Sequence, residues 1–234
     1  MKKILLPLAL LISFSCFGQT AKKYYDNGIQ KEKNGNYYGA IADFTKAIEL
    51  DPNYFYAYSA RAYSKGELDD NYGAIADFTK AIEINPSYTY AYSARGYRKS
   101  KLGDLNGAMA DYTKALEVDS NYFYAYANRG DAKRKLKDYS GAIADYTKAL
   151  EINSDDDYCY ANRGVAKYYL TDYYGAIADY TKALELNPNY GYAVASRGNA
   201  KEKLGDLNGA CDDWKKAAKL GITLAAEWVA ESCK

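Results

Sequence analysis

Small and aromatic residues recur at helical spacing within one short tract. Across 73–84, Ala74, Phe78 and Ala81 fall at i, i+4 and i+7, with Asp77, Thr79 and Lys80 between them. That spacing puts the three apolar side chains on one helical face, and Asn85-Pro86 closes the run because proline cannot continue a helix. An upstream segment over 56–68 is separated from this tract by the polar break Asp69-Asp70-Asn71. The pattern predicts a helical hairpin. It also recurs: Gly-Ala-Ile-Ala-Asp-Phe/Tyr-Thr-Lys-Ala-Ile/Leu-Glu stands almost unchanged at Gly39, Gly73, Gly141 and Gly175, with looser copies at Gly107 and Gly209. Successive copies start 34 residues apart, so a frame beginning at Ala21 divides 21–224 into six repeats without insertion or deletion: 21–54, 55–88, 89–122, 123–156, 157–190 and 191–224.

A lone hairpin cannot bury both faces, whereas stacked copies can, so a fixed period of this length predicts an all-α array stabilised by repeat and neighbour terms. Ala74 and Ala81 allow close helix approach, and Phe78 fills the gap between them. Residues 225–234, with Ala225, Trp228, Val229 and Cys233, continue as an amphipathic segment expected to cap the last hairpin. An array of this kind has no single catalytic core. The first expectation is binding on an extended surface, not chemistry.

The repeated positions resemble those of the tetratricopeptide repeat family. The resemblance rests on Tyr92, Gly96, Ala108, Tyr112 and Ala115, with Pro86 ahead of that helix pair, and on equivalent residues in most other repeats. It covers 21–224 and implies a right-handed α-solenoid of six helix-turn-helix repeats. Two departures stand out. Ser120 and Ser154 replace the proline, and where the family places a leucine before the glycine this chain has Arg61, Arg95, Arg129, Arg163 and Arg197, with Asn27 in the first repeat.

Those arginines fall on a face expected to be buried, where an unpaired charge is costly. Asp43, Asp77, Asp111, Asp145, Asp179 and Asp213 recur at one place in the second helix. The expected arrangement is a ladder in which each arginine bonds the aspartate of the preceding repeat, Asp43 to Arg61 through Asp179 to Arg197. Pairing within each repeat is the alternative, and it leaves Asp43 without an arginine.

In the family the first helices line a concave groove that holds a peptide or protein segment. The resemblance implies that Tyr56, Tyr90, Tyr124, Tyr158 and Tyr192 point into it, joined by Tyr63, Tyr97, Asn128, Asp131, Arg134, Asn162, Tyr168, Asn199 and Glu202. A row of tyrosines offers rigid rings with hydroxyl groups, suited to an extended polar chain. Packing between neighbouring first helices is the competing use of the same rings. The Lys/Asn clamp with which chaperone-binding members hold a C-terminal carboxylate is missing: Tyr25, Ile29, Ser59 and Ala60 occupy its places.

Composition narrows the function further. The formal charge is +1 and no basic stripe is present, which gives no footprint for nucleic acid. Histidine is absent, which excludes His-dependent hydrolase triads and His-containing zinc sites. No phosphate-cradling glycine loop is present, and no cofactor is expected. Tyrosine is in excess at 28 residues against 6 Phe and 2 Trp. The expected function is a non-enzymatic protein-interaction scaffold, with a structural or self-associating array as the alternative.

At the start of the chain Lys2 and Lys3 precede an apolar stretch over 4–14 that is too short to anchor in a bilayer, and Gly18 offers a small residue before Gln19. Residues 1–18 are read as a secretory signal, which places the remaining chain outside the cytoplasm, periplasmic or secreted, without an integral membrane segment. Cys16 as a lipidated N-terminus is one alternative, and a buried apolar first helix is the other. In an oxidising compartment Cys211 and Cys233 are candidates for a disulfide, against a reading as two small buried residues. Cys159 takes a place held by alanine in other repeats and reads as buried. The run Asp155-Asp156-Asp157 invites a calcium reading, but it precedes a helix start, where carboxylates cap the N-terminus.

Overall fold

A computed structural model describes the backbone of residues 6–233 and the side chains of residues 20–233. It divides into two compact bodies, residues 1–120 and 121–234. The first holds α1 (Leu6–Lys33), α2 (Tyr37–Leu50), α3 (Phe55–Glu67), α4 (Asn71–Ile84), α5 (Thr89–Lys101) and α6 (Leu105–Val118). The second holds α7 (Phe123–Lys135), α8 (Tyr139–Ile152), α9 (Asp157–Tyr169), α10 (Tyr173–Leu186), α11 (Gly191–Lys203), α12 (Leu207–Lys219) and α13 (Thr223–Ser232). No strand occurs among the described residues. Within each body the two helices of a repeat pack most extensively on one another, the second helix then packs on the next repeat, and neighbouring first helices touch. This is the stacked-hairpin architecture that the period predicts.

Second helices begin two residues earlier than the glycine that opens the repeated tract. The cause is an aspartate cap: Asp70, Asp104, Asp138, Asp172 and Asp206, with Asn36 in the first repeat, accept a hydrogen bond from the N–H of the glycine three residues on. A Cβ at Gly73 would lie 2.0 Å from the Asp70 carboxylate, so a larger residue there would have to push the capping side chain aside. The preceding turn closes with the Asp70 N–H on the Lys65 carbonyl and the Asp69 N–H on the Gly66 carbonyl. This left-handed closure places Asp69 at φ 62° and Lys137 and Thr171 at φ 64°, where the other three repeats use Gly35, Gly103 and Gly205.

Repeat interiors are built from alanines around one aromatic residue: Phe44, Phe78, Tyr112, Tyr146, Tyr180 and Trp214 are buried. Each ring rests where the first helix of its repeat has a small residue. A Cβ on Gly164, for example, would meet the Tyr180 ring at 2.9 Å. At the far end α13 packs on α12, and Cys211 and Cys233 are joined in a disulfide. Cys159 is a buried free thiol whose burial pushes its pKa up, which leaves it unreactive. No helix among the described residues is long and apolar enough to cross a membrane. The secretory reading of residues 1–18 and the lipidation reading of Cys16 fall outside the residues whose side chains are described.

Candidate interaction surface

The recurring arginines and aspartates form a spine, but not in the expected register. Each arginine pairs with the aspartate of its own repeat, 16 residues on, rather than with that of the preceding one. Arg61 Nε and Nη2 each donate to Asp77 at 2.8 Å, and the same two-pronged bond joins Arg95 to Asp111, Arg129 to Asp145, Arg163 to Asp179 and Arg197 to Asp213. The fixed fork of a guanidinium matches a carboxylate best across the hairpin, where the two helices face each other. A lysine four residues after each arginine completes the group: Lys65, Lys99, Lys133, Lys167 and Lys201 lie 2.7–2.8 Å from the same carboxylates.

The first repeat lacks the arginine, and among the described residues Lys31 is the one cation that meets Asp43, at 2.6 Å. The link to the preceding repeat is made by threonine instead. Arg61 Nη1 donates to Thr45 Oγ1, Arg95 to Thr79, Arg163 to Thr147 and Arg197 to Thr181, at 3.1–3.2 Å. Tyr58, Tyr92, Tyr126 and Tyr160 cover the guanidinium groups at 5.4–5.8 Å from the ring centroids. The spine therefore uses the repeated charges for stacking and leaves none of these arginines facing a ligand.

In the first body Tyr56 and Tyr90 are 47% and 37% exposed on the first helices, and Tyr97 is 40% exposed. Tyr63 is half-buried. Between the two ladder rings lies Tyr88, 5.5 Å from Tyr56 and 5.9 Å from Tyr90, and Tyr54 continues the row to Tyr25 at 5.1 Å. Tyr54 and Tyr88 occupy the N-cap positions of α3 and α5. Sequence reasoning missed them, although Tyr54, Tyr88, Tyr122 and Tyr190 recur at one place in the period. Tyr25, Tyr56, Tyr88 and Tyr90 line a cavity of about 220 Å³ together with Glu32, Ser59, Ala60 and Tyr63. Burial raises the Tyr25 phenol to about 12.

The second body presents Tyr124, Tyr158 and Tyr192, 62%, 43% and 72% exposed. Its predicted polar contacts are largely turned inward. Asp131 accepts from the hydroxyls of Tyr146 and Tyr158, each at 2.7 Å, with Arg134 3.7 Å away. Burial and the Asp131 charge together push both phenols well above the ordinary range. Asn162 is buried and donates to the Tyr158 carbonyl of its own helix, while Asn199 accepts from Trp214 Nε1. Tyr168 packs edge-on against Tyr169 and Tyr173, Asn128 is half-buried, and Glu202 is exposed beside Lys203. The structure thus leaves Tyr124 and Tyr192 open, while Asp131, Asn162 and Asn199 serve the fold. In the acidic run, Asp156 caps α9 by accepting from the Cys159 N–H, and Asp157 accepts from Asn187.

Comparison with known proteins agrees with the repeat fold. Models of the tetratricopeptide repeat match residues 31–54, 55–88, 123–156 and 157–190, and a model described as TPR repeat matches 96–134. Among curated proteins none matches this sequence. Of solved structures, pilF of Pseudomonas aeruginosa is similar with a TM-score of 0.80 at 18% identity, covering 92% of this chain and 99% of that one. YrrB, described as a TPR protein with an unusual peptide-binding site, has a TM-score of 0.69 at 21% identity, covering 80% and 97%. The first TPR of Spaghetti (RPAP3), bound to the HSP90 peptide SRMEEVD, has a TM-score of 0.50 at 32% identity, covering 51% and 94%. With six in-phase repeats, the glycine-to-aromatic contact inside nearly every hairpin and family models matching most of its length, this chain belongs to the tetratricopeptide repeat family.

Proposed function

We propose that this protein is a non-enzymatic interaction scaffold whose first helices hold an extended segment of a partner protein. The observation that carries the reading is the exposure of Tyr56 and Tyr90 in one body and of Tyr124, Tyr158 and Tyr192 in the other, beside alanines that are wholly buried. Rings held this way on rigid helices offer contact area at small entropy cost. Two structural relatives support it: YrrB is described as having an unusual peptide-binding site, and the first TPR of RPAP3 is bound to a peptide.

Selection from a random-peptide display library tests the reading. The wild-type chain is expected to enrich peptides whose affinity falls about tenfold or more in a Tyr56→Ala/Tyr90→Ala or a Tyr124→Ala/Tyr192→Ala variant. Equal binding by wild type and both variants would refute it. A change in sedimentation of the variants without any peptide enrichment would favour the self-associating array.

The setting we propose is outside the cytoplasm, with residues 1–18 removed. The disulfide between Cys211 and Cys233 suits an oxidising compartment. Intact-mass measurement on the exported chain is expected to give a protein beginning at Gln19. A mass that includes residues 1–18 sinks this proposal, and a lipid adduct on Cys16 replaces it with the anchored form.

A further inference from the structure

Glu32 is the last acidic residue of α1, and its carboxylate lines the tyrosine cavity of the first body. Ser64 Oγ donates to its Oε2 at 2.9 Å, and among the described residues Glu32 has no ion pair. Burial and the charge of Glu67 raise its pKa, the signature of a carboxylate short of positive charge.

One repeat further along, the chain solves the same problem internally. Arg98 stands 34 residues after Ser64, and its guanidinium lies against Gly66, donating to the Gly66 carbonyl at 2.9 Å and to Glu67 at 3.0 Å with the Tyr97 ring 5.3 Å away. Gly66 occupies the place of Glu32, and any side chain there would displace the guanidinium. A cation, a carboxylate and a tyrosine ring therefore form a filled set at the Arg98 level. At the Glu32 level the carboxylate and the rings are present, and a serine stands where the arginine would be.

We infer that the cavity lined by Glu32, Tyr25, Tyr56, Tyr63, Tyr88 and Tyr90 receives a lysine or arginine side chain of the partner segment, its cation lying against the rings and bonded to Glu32. A volume of about 220 Å³ admits one such side chain. Ring faces attract cations, and a half-buried carboxylate strengthens the bond by charge assistance. Tyr54 and Tyr88 brace the rings, so the site is formed before the ligand arrives. Arg98, the cation of the next repeat, is held by Glu67, and Lys31 is held by Asp43. Glu32 thus gives the surface of the first body a chemical preference that the tyrosines alone lack.

This inference rests on the groove reading, and one selection separates their failures. Peptides enriched by the wild-type chain are expected to carry a lysine or arginine. Replacing that residue by norleucine, or Glu32 by Gln, is expected to weaken binding about tenfold, and the two changes together no further. Glu32→Gln keeps an acceptor for Ser64, and a Tyr56→Leu variant, altered at an exposed ring, removes the aromatic face by an independent route. Enriched peptides without a basic preference, or basic peptides that bind Glu32→Gln and Tyr56→Leu as tightly as wild type, overturn the pocket and leave the groove standing. No enrichment at all overturns both.

Discussion

Replacing Asp179 with asparagine is expected to destabilise the second body by about 3 kcal/mol, the scale for stripping one partner from a buried ion pair. Asp179 is 4% exposed and receives two bonds from Arg163 and one from Lys167. Without its charge, Arg163 and Lys167, one turn apart on α9, are left side by side with no counter-ion from α10. The neutral amide can accept from only one oxygen and turns donors toward the other cation. Thr147→Val deletes only the link to the preceding repeat and is expected to cost about 1 kcal/mol, the size of an ordinary hydrogen bond. Asp43→Asn, where among the described residues Lys31 is the one cation on a less buried carboxylate, should fall below Asp179→Asn. Urea unfolding followed by far-ultraviolet circular dichroism gives all three values. Because a repeat array sums local terms, hydrogen exchange in Asp179→Asn should accelerate first across α9 and α10. A loss below about 1 kcal/mol for Asp179→Asn would show that the group contributes little to stacking.

The same group shows how far the sequence could be read. Periodicity identified the arginines and aspartates as partners, since both recur at 34 residues on a face that stacking buries. Register was not legible: Arg61 lies 18 residues after Asp43 and 16 before Asp77, and only the packing of α3 on α4 chooses between them. The objection that pairing within a repeat strands Asp43 fails because Lys31 serves it, and the lysine one helical turn beyond each arginine was readable from the same spacing. Hairpins, the helix cap in the 155–157 run and the buried aromatic were legible because each follows from local pattern, whereas the recurring aspartate caps of the second helices were read only as polar breaks. Asp131 was not. It stands where other repeats have Tyr63, Tyr97, Val165 and Asn199, so no period announces that two tyrosine hydroxyls converge on it. Glu32 escaped for the same reason, as its counterparts are Gly66, Ser100, Arg134, Tyr168 and Glu202.

Raising the pH past 10 is expected to unfold this protein, and the buried tyrosines set the steepness. Tyr146 and Tyr180 are essentially inaccessible to solvent, and burial holds both phenols well above their ordinary value. A phenol whose folded pKa is raised stabilises the fold fully below about pH 10, the unfolded value, and that stability is lost as the pH climbs toward the folded pKa. Over this interval the unfolded chain has released a proton that the folded chain retains, so each such tyrosine lowers stability by about 1.4 kcal/mol per pH unit. Tyr180 permits a clean test. Phe44 and Phe78 occupy its place in the first two repeats, so Tyr180→Phe fits a site the fold already builds with phenylalanine. Urea unfolding at about pH 9 and about pH 11 should show a smaller loss in Tyr180→Phe than in wild type, by about 1.4 kcal/mol in total, because only the unit above about pH 10 contributes. Equal slopes would mean that the Tyr180 hydroxyl already ionises in the folded chain. Tyr146→Phe should flatten the slope as well, but it removes one of the two donors to the Asp131 carboxylate, a charged acceptor. It should therefore lower stability near neutral pH by more than Tyr180→Phe, whose hydroxyl meets only the neutral Ser196.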